Sequence, residues 1–209
     1  MSCVSISIID YGMGNIQSIK NALAYLNIPH QVINTPEQIL ESNRLILPGV
    51  GSFFKAMELI KQKNLIDALT TMVLDRQIPI LGICLGMQLF ATFSEEDGVS
   101  DGLNWIPSAV VKLSGIPFKV PHVGFNTVHF TNPISPLFQG IGVLSDFYFI
   151  HSYHMQCHNP QVITGWVEYG GKWVASVQYG NIFGTQFHPE KSQGNGLFIL
   201  KNFSQLLIL

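Results

Sequence analysis

A chain of 209 residues has room for one α/β domain with a full core, and a single domain over 1–209 is expected. Hydrophobic residues make up 47% and charged residues 11%, where a soluble domain ordinarily has about 25% charged; such a surface is either shared with a partner or small beside a large core. The net charge of −2, with no Lys/Arg cluster, argues against nucleic acid, and no apolar run approaches the ~20 residues of a membrane helix.

The N-terminus, Met1 to Ile6, lacks a basic stretch and runs straight into a strand-like pattern, so no signal peptide is expected. Cys3, Cys84 and Cys157 show no C-x-x-C spacing. They read as reduced thiols of a cytoplasmic protein, with no disulfide and no metal site.

In chain order, Val4 to Asp10 is apolar and β-branched, the pattern of a buried strand. Tyr11-Gly12-Met13-Gly14-Asn15 turns the chain, with Asn15 placed to cap a helix that carries Ile16, Ile19, Leu23 and Leu26 at helical spacing. Gln31–Asn34 and Arg44–Leu47 read as strands, the second ended by Pro48-Gly49-Val50-Gly51. Ser52 to Leu74 reads as helix in two pieces around Asn64, and Pro79 to Ile83 as the next strand. Strands alternating with helices imply a doubly wound, mostly parallel α/β sheet. Residues 105–187 are β-rich instead. Strands are expected at Val123–Phe130, Phe147–Ile150, Val162–Glu168, Trp173–Gln178 and Ile182–Gln186, with a hairpin turn at Tyr179-Gly180-Asn181. Gly194 to Leu207 closes the chain as a helix with Leu197, Leu200, Phe203 and Leu207 on one face.

Three segments carry chemistry. Leu81-Gly82-Ile83-Cys84-Leu85-Gly86-Met87-Gln88 follows an apolar run and opens a helix, the pattern of a nucleophile elbow. A Cβ at Gly82 or Gly86 would collide where strand and helix pack beside the turn. The sulfur of Cys84 would sit near helix-terminal N–H groups, which favour a thiolate. Gly184-Thr185-Gln186-Phe187-His188-Pro189-Glu190 places a histidine at a strand end, where open α/β sheets build their sites. His188 would serve Cys84 as base, and Glu190 would orient the ring. Leu45 to Phe53 ends a strand in glycines that leave backbone N–H groups approachable. One oxyanion donor would come from around Val50 and Gly51, the other from Leu85. Each segment alone has a plain structural reading, as a buried cysteine, a structural histidine or a Pro-Gly turn. Together, two of them at strand ends, they support one another. Gly12-Met13-Gly14 lacks the third glycine of a dinucleotide fingerprint, and no cofactor is expected.

Gly82–Gln88 and Phe183–Ser192 resemble the class I, triad-type glutamine amidotransferases. Asp10–Asn15, Leu47–Gly51, Lys119–Asn126 and His151-Ser152-Tyr153 look like the glutaminase subunits of imidazole glycerol phosphate synthases. The resemblance implies a flavodoxin-like amidotransferase fold that hydrolyses L-glutamine to glutamate and ammonia. In it Cys84, His188 and Glu190 form the triad, Val50, Gly51 and Leu85 the oxyanion site, and Gly49, Gly51, Gln88, Ser152 and Tyr153 hold glutamine. It implies a (βα)8-barrel cyclase partner that receives the ammonia in histidine biosynthesis, and a Val50–Gly51 peptide whose N–H must turn inward. Where the family usually has Trp, this chain has Phe125. Two further readings stand beside this one: a paralogous glutaminase supplying ammonia for sugar amidation in surface polysaccharides, and a stand-alone cysteine or γ-glutamyl hydrolase.

Overall fold

The structure is a computed structural model that describes residues 5–131 and 134–206. Cys3, Val4 and Leu207 lie outside the described residues. The first half alternates as β1 (Ile6–Ile9), α1 (Ile16–Tyr25), β2 (His30–Ile33), α2 (Pro36–Leu40), β3 (Leu45–Leu47), α3 (Phe53–Gln62), α4 (Leu65–Thr70), β4 (Ile80–Ile83) and α5 (Leu85–Gln88). Strands then dominate: β5 (Phe93–Ser94), β6 (Ser100–Asp101), β7 (Ser108–Lys112), β8 (His122–Phe130), β9 (Leu144–His151), β10 (Tyr153–Cys157), β11 (Ile163–Glu168), β12 (Lys172–Tyr179) and β13 (Ile182–Thr185). Helix α6 (Gln193–Gln205) closes the described chain.

One nine-stranded sheet runs β2-β1-β3-β4-β13-β12-β11-β8-β9. Its β2-to-β13 half is parallel, and from β13 onward every pairing is antiparallel. The β-rich half of the sequence therefore extends the parallel sheet. Apolar clusters cover both faces, which is why β1, β3 and β4 are buried along their whole length and read as unbroken apolar runs. Strand β8 instead alternates. His122 and Val128 face the core while Val123 and Phe125 face out.

The helix expected from Ser52 breaks where foreseen. Asn64 takes a left-handed φ of 56° between α3 and α4. The Tyr179–Ile182 hairpin also forms, with Gly180 at φ 56°. Asn15, in contrast, makes no side-chain cap hydrogen bond to α1. A smaller sheet, β10-β7-β5-β6, is not foreseen by the sequence pattern. Two of its strands are two residues long, too short to carry a periodic signal. The chain leaves the large sheet at His151 and enters the small one at Tyr153, so Ser152 sits at the junction of the two.

Candidate active site

The strand order brings the chemistry together. Strands β4 and β13 are parallel neighbours, with Gly82 beside Gly184 and Ile83 beside Thr185. The residues that follow each strand must therefore emerge at the same end of the sheet, although they are a hundred positions apart. The Cys84 N–H donates to the Thr185 carbonyl at 2.7 Å, tying the elbow to the neighbouring strand.

Cys84 has φ 55° and ψ −110°, and α5 begins at the next residue. This is a strained strand-to-helix turn, held because the glycines around it admit close packing. A Cβ on Gly82 would lie 2.7 Å from the Met87 backbone, and one on Gly86 would run into the Leu47 carbonyl. Strand β3 and helix α5 thus touch backbone to backbone, directly beneath the nucleophile. The thiol sulfur lies 3.8 Å from the Ile150 carbonyl and 3.7 Å from Gln186 Nε2.

His188 Nδ1 donates to Glu190 Oε1 at 2.8 Å, and both side chains are almost fully buried. Because Nδ1 carries that proton, Nε2 is the nitrogen left to face the sulfur. It is buried without a hydrogen-bond partner. Burial alone would disfavour a charged ring. The hydrogen bonds and charges of Cys84 and Glu190 outweigh it and push the His188 pKa up to about 10. The ring is braced from its backbone, with its N–H donating to the Tyr148 carbonyl at 2.9 Å and its carbonyl accepting from Ser192 Oγ at 2.7 Å. The spacing H-x-E works here because Pro189 starts a single 3-10 turn that folds Glu190 back onto the ring.

Cys84 and His188 open onto a cavity of about 520 Å³, walled also by Val50, Gly51, Leu85, Gln88, Ser152 and Tyr153. Two expected site residues stand outside this wall. Glu190 lies behind His188, and Gly49 lies behind Val50, packed against Gly86 and Leu85. Among the described residues neither the Val50 nor the Leu85 N–H has a hydrogen-bond partner, as a site awaiting an oxyanion requires. Gln88 spends both amide protons inward, on the Tyr153 carbonyl and Gln186 Oε1 at 2.9 Å each. Its carbonyl oxygen is what remains for a ligand.

Sequence reasoning missed several contributors. Glu96 lines the cavity, and its carboxylate accepts from the Phe53 N–H at 2.8 Å. Burial raises its pKa, partly opposed by that N–H. Gln186 bridges Gln88 and Cys84; its place two residues before the histidine, next after a buried strand, was the available signal. His151 and His122 are buried and joined, Nε2 to Nδ1, at 3.1 Å. Among the described residues, no group of His, Cys, Asp or Glu is arranged to hold a metal ion, and no helix is long and apolar enough to cross a membrane.

This fold and site define a class of protein, and comparison with known proteins places the chain in it. The glutamine amidotransferase class-I family pattern matches residues 7–206, and the chain belongs to that family. A solved structure of a glutamine amidotransferase from Thermotoga maritima superposes with a TM-score of 0.61 at 19% identity, over 91% of this chain and 77% of that one. More particularly, the imidazole glycerol phosphate synthase subunit HisH of Moorella thermoacetica is 48% identical over 97% of this chain and 95% of its own. The corresponding subunit HisH 1 of Campylobacter jejuni (strain RM1221) is 44% identical over 96% of this chain and all of its own.

Proposed function

We propose that this chain is the glutaminase subunit of an imidazole glycerol phosphate synthase, hydrolysing L-glutamine through a Cys84–His188–Glu190 triad and passing ammonia to a (βα)8-barrel cyclase. The observation that carries it is the meeting of the Cys84 and His188 side chains on one cavity, with Glu190 2.8 Å behind the ring.

The geometry prescribes the steps. With the His188 ring protonated, Cys84 attacks as thiolate at the side-chain carbonyl carbon of glutamine. The carbonyl electrons move to oxygen, which the Val50 and Leu85 N–H groups receive. Collapse of this intermediate expels the amide nitrogen, which takes the proton from His188 Nε2 and leaves as ammonia. A thioester remains on Cys84. Neutral His188 then takes a proton from water, the hydroxyl attacks the thioester, and glutamate departs as the thiolate and imidazolium are restored. Glu96 and the Gln88 carbonyl supply acceptors for the substrate's ammonium group, and the backbone at Ser152 and Tyr153 meets its carboxylate end.

Beside the cavity mouth, Val123, Phe125 and Ile150 form an exposed apolar strip. It fits a surface covered by a second protein chain. The test is Cys84→Ala. Glutamine hydrolysis should fall at least about a thousandfold, while synthesis from ammonium salts in the presence of the cyclase persists. Surviving glutamine-dependent synthesis would refute the assignment.

A further inference from the structure

Tyr11 is fully buried, and its hydroxyl has no hydrogen-bond partner. Buried polar atoms are nearly always paired, so an orphan calls for a physical account. The ring stands in the apolar layer with Leu47, Phe53 and Leu85. Its oxygen reaches the end of β3, where a Cβ on Gly49 would lie 2.8 Å from it. The cavity wall begins one residue later, at Val50, and Tyr11 takes no part in it. Tyr11 therefore stands on the core side of the same strand end whose other side receives the oxyanion.

The peptide between Gly49 and Val50 is planar and trans, so its N–H and C=O point in opposite directions. Aiming the Val50 N–H into the cavity drives the Gly49 oxygen into the core. A carbonyl there needs a donor. The Tyr11 hydroxyl is the unpaired polar group at that place, and burial, reinforced by the nearby Cys84, holds it in its protonated form.

We propose that the Tyr11 O–H donates to the Gly49 carbonyl in the state that presents the Val50 N–H to the oxyanion, which makes Tyr11 a positioning residue for the reaction. This rests on the glutaminase reading above. The hydroxyl is unpaired in one state and bonded in the other, so it favours the competent orientation without touching the substrate. Its effect belongs to the transition state and not to glutamine binding.

The test is Tyr11→Phe in the full chain, assayed for glutamine hydrolysis alone and with the cyclase partner. Expected are a kcat lowered about 10- to 100-fold, a KM for glutamine within about twofold of wild type, unchanged alkylation of Cys84 by iodoacetamide, and a Tm equal or higher because an orphan hydroxyl is gone. An unchanged kcat, or a loss carried wholly by KM, overturns the proposal. Should the variant fail to fold, the wild-type chain labelled with 13Cζ-tyrosine decides. The Tyr11 resonance shifts when glutamate γ-semialdehyde forms its tetrahedral adduct on Cys84, and an unmoved resonance overturns the proposal. A wild-type chain that hydrolyses no glutamine overturns the glutaminase reading as well. A Tyr11→Phe variant equal to active wild type overturns this inference alone.

Discussion

Glu190 acts on His188 in two ways, through the 2.8 Å hydrogen bond at Nδ1 and through its charge. The first fixes the tautomer, and the second helps keep the ring protonated beside the sulfur. Glu190→Gln keeps the size and an acceptor but loses the charge. Its kcat should drop about 10²- to 10⁴-fold. The alkaline limb of the kcat/KM profile, where the imidazolium is lost, should begin at lower pH than in wild type, because one of the causes raising the His188 pKa is gone. A variant whose alkaline limb stays in place would show that Glu190 does no more than hold the ring. The catalytic residues were legible in the sequence because each sits in a local pattern forced by sterics: glycines flanking Cys84, and a proline between His188 and Glu190. Tyr11, Glu96 and Gln186 were not, because their roles come from what lies across the fold from them.

The β8–β9 ribbon shows how one element serves two surfaces. Its pairs alternate, with His122 opposite His151 on the buried face and Val123 opposite Ile150 on the outer one. The hydrogen bonds fix the tautomers of the inner pair. His151 Nδ1 must donate to the Tyr153 carbonyl at 2.8 Å, so its Nε2 accepts, and His122 Nδ1 is the donor at 3.1 Å. The chain of bonds thus runs from β8 to the carbonyl that also receives Gln88. It requires neutral rings. Burial lowers the His122 pKa to about 4 and, chiefly, that of His151 to about 3, from the usual 6.5. Protonation consequently favours the unfolded chain. The pair's full contribution is present above about pH 6.5 and drains away as the pH falls toward 4. Thermal melts should show Tm declining across that window, and His122→Gln should flatten the decline; parallel curves for the two proteins would refute the account. Period-two patterning announced β8 and most of β9 in the sequence. It was silent on the His122–His151 bond, because cross-strand register depends on where distant strands meet. The small sheet escaped for the same reason, and α2 too, although Thr35 and Gln38 form a capping box around Pro36.

At the scale of the molecule, the cavity mouth and the outward strip of β8 and β9 lie on the same side. Phe125 packs edge-on against Tyr148, and Lys191 stands over the Tyr148 ring at 5.7 Å. Lys191 also reaches the cavity wall, so the strip and the site share residues. If the strip is where the cyclase docks, Val123→Glu should weaken the complex at least about tenfold by placing a charge in an apolar contact. Titration calorimetry would measure this, and hydrolysis by the isolated variant should match the isolated wild type. Undiminished affinity would place the partner elsewhere. The parallel half of the fold was readable because unbroken apolar runs separated by helices admit few arrangements. The position of β13 beside β4 was not, since nothing local to Ile182–Thr185 names its neighbour.

Strand β13 lies in the middle of the sheet but near the end of the chain. During synthesis the first four strands leave the ribosome long before it. Until it arrives, the slot next to β4 stays open and the thiol has no base. A truncated or half-made polypeptide thus cannot waste cellular glutamine. The enzyme switches on only once its last strand is in place, and that late, long-range insertion is also the step at which folding should be slowest.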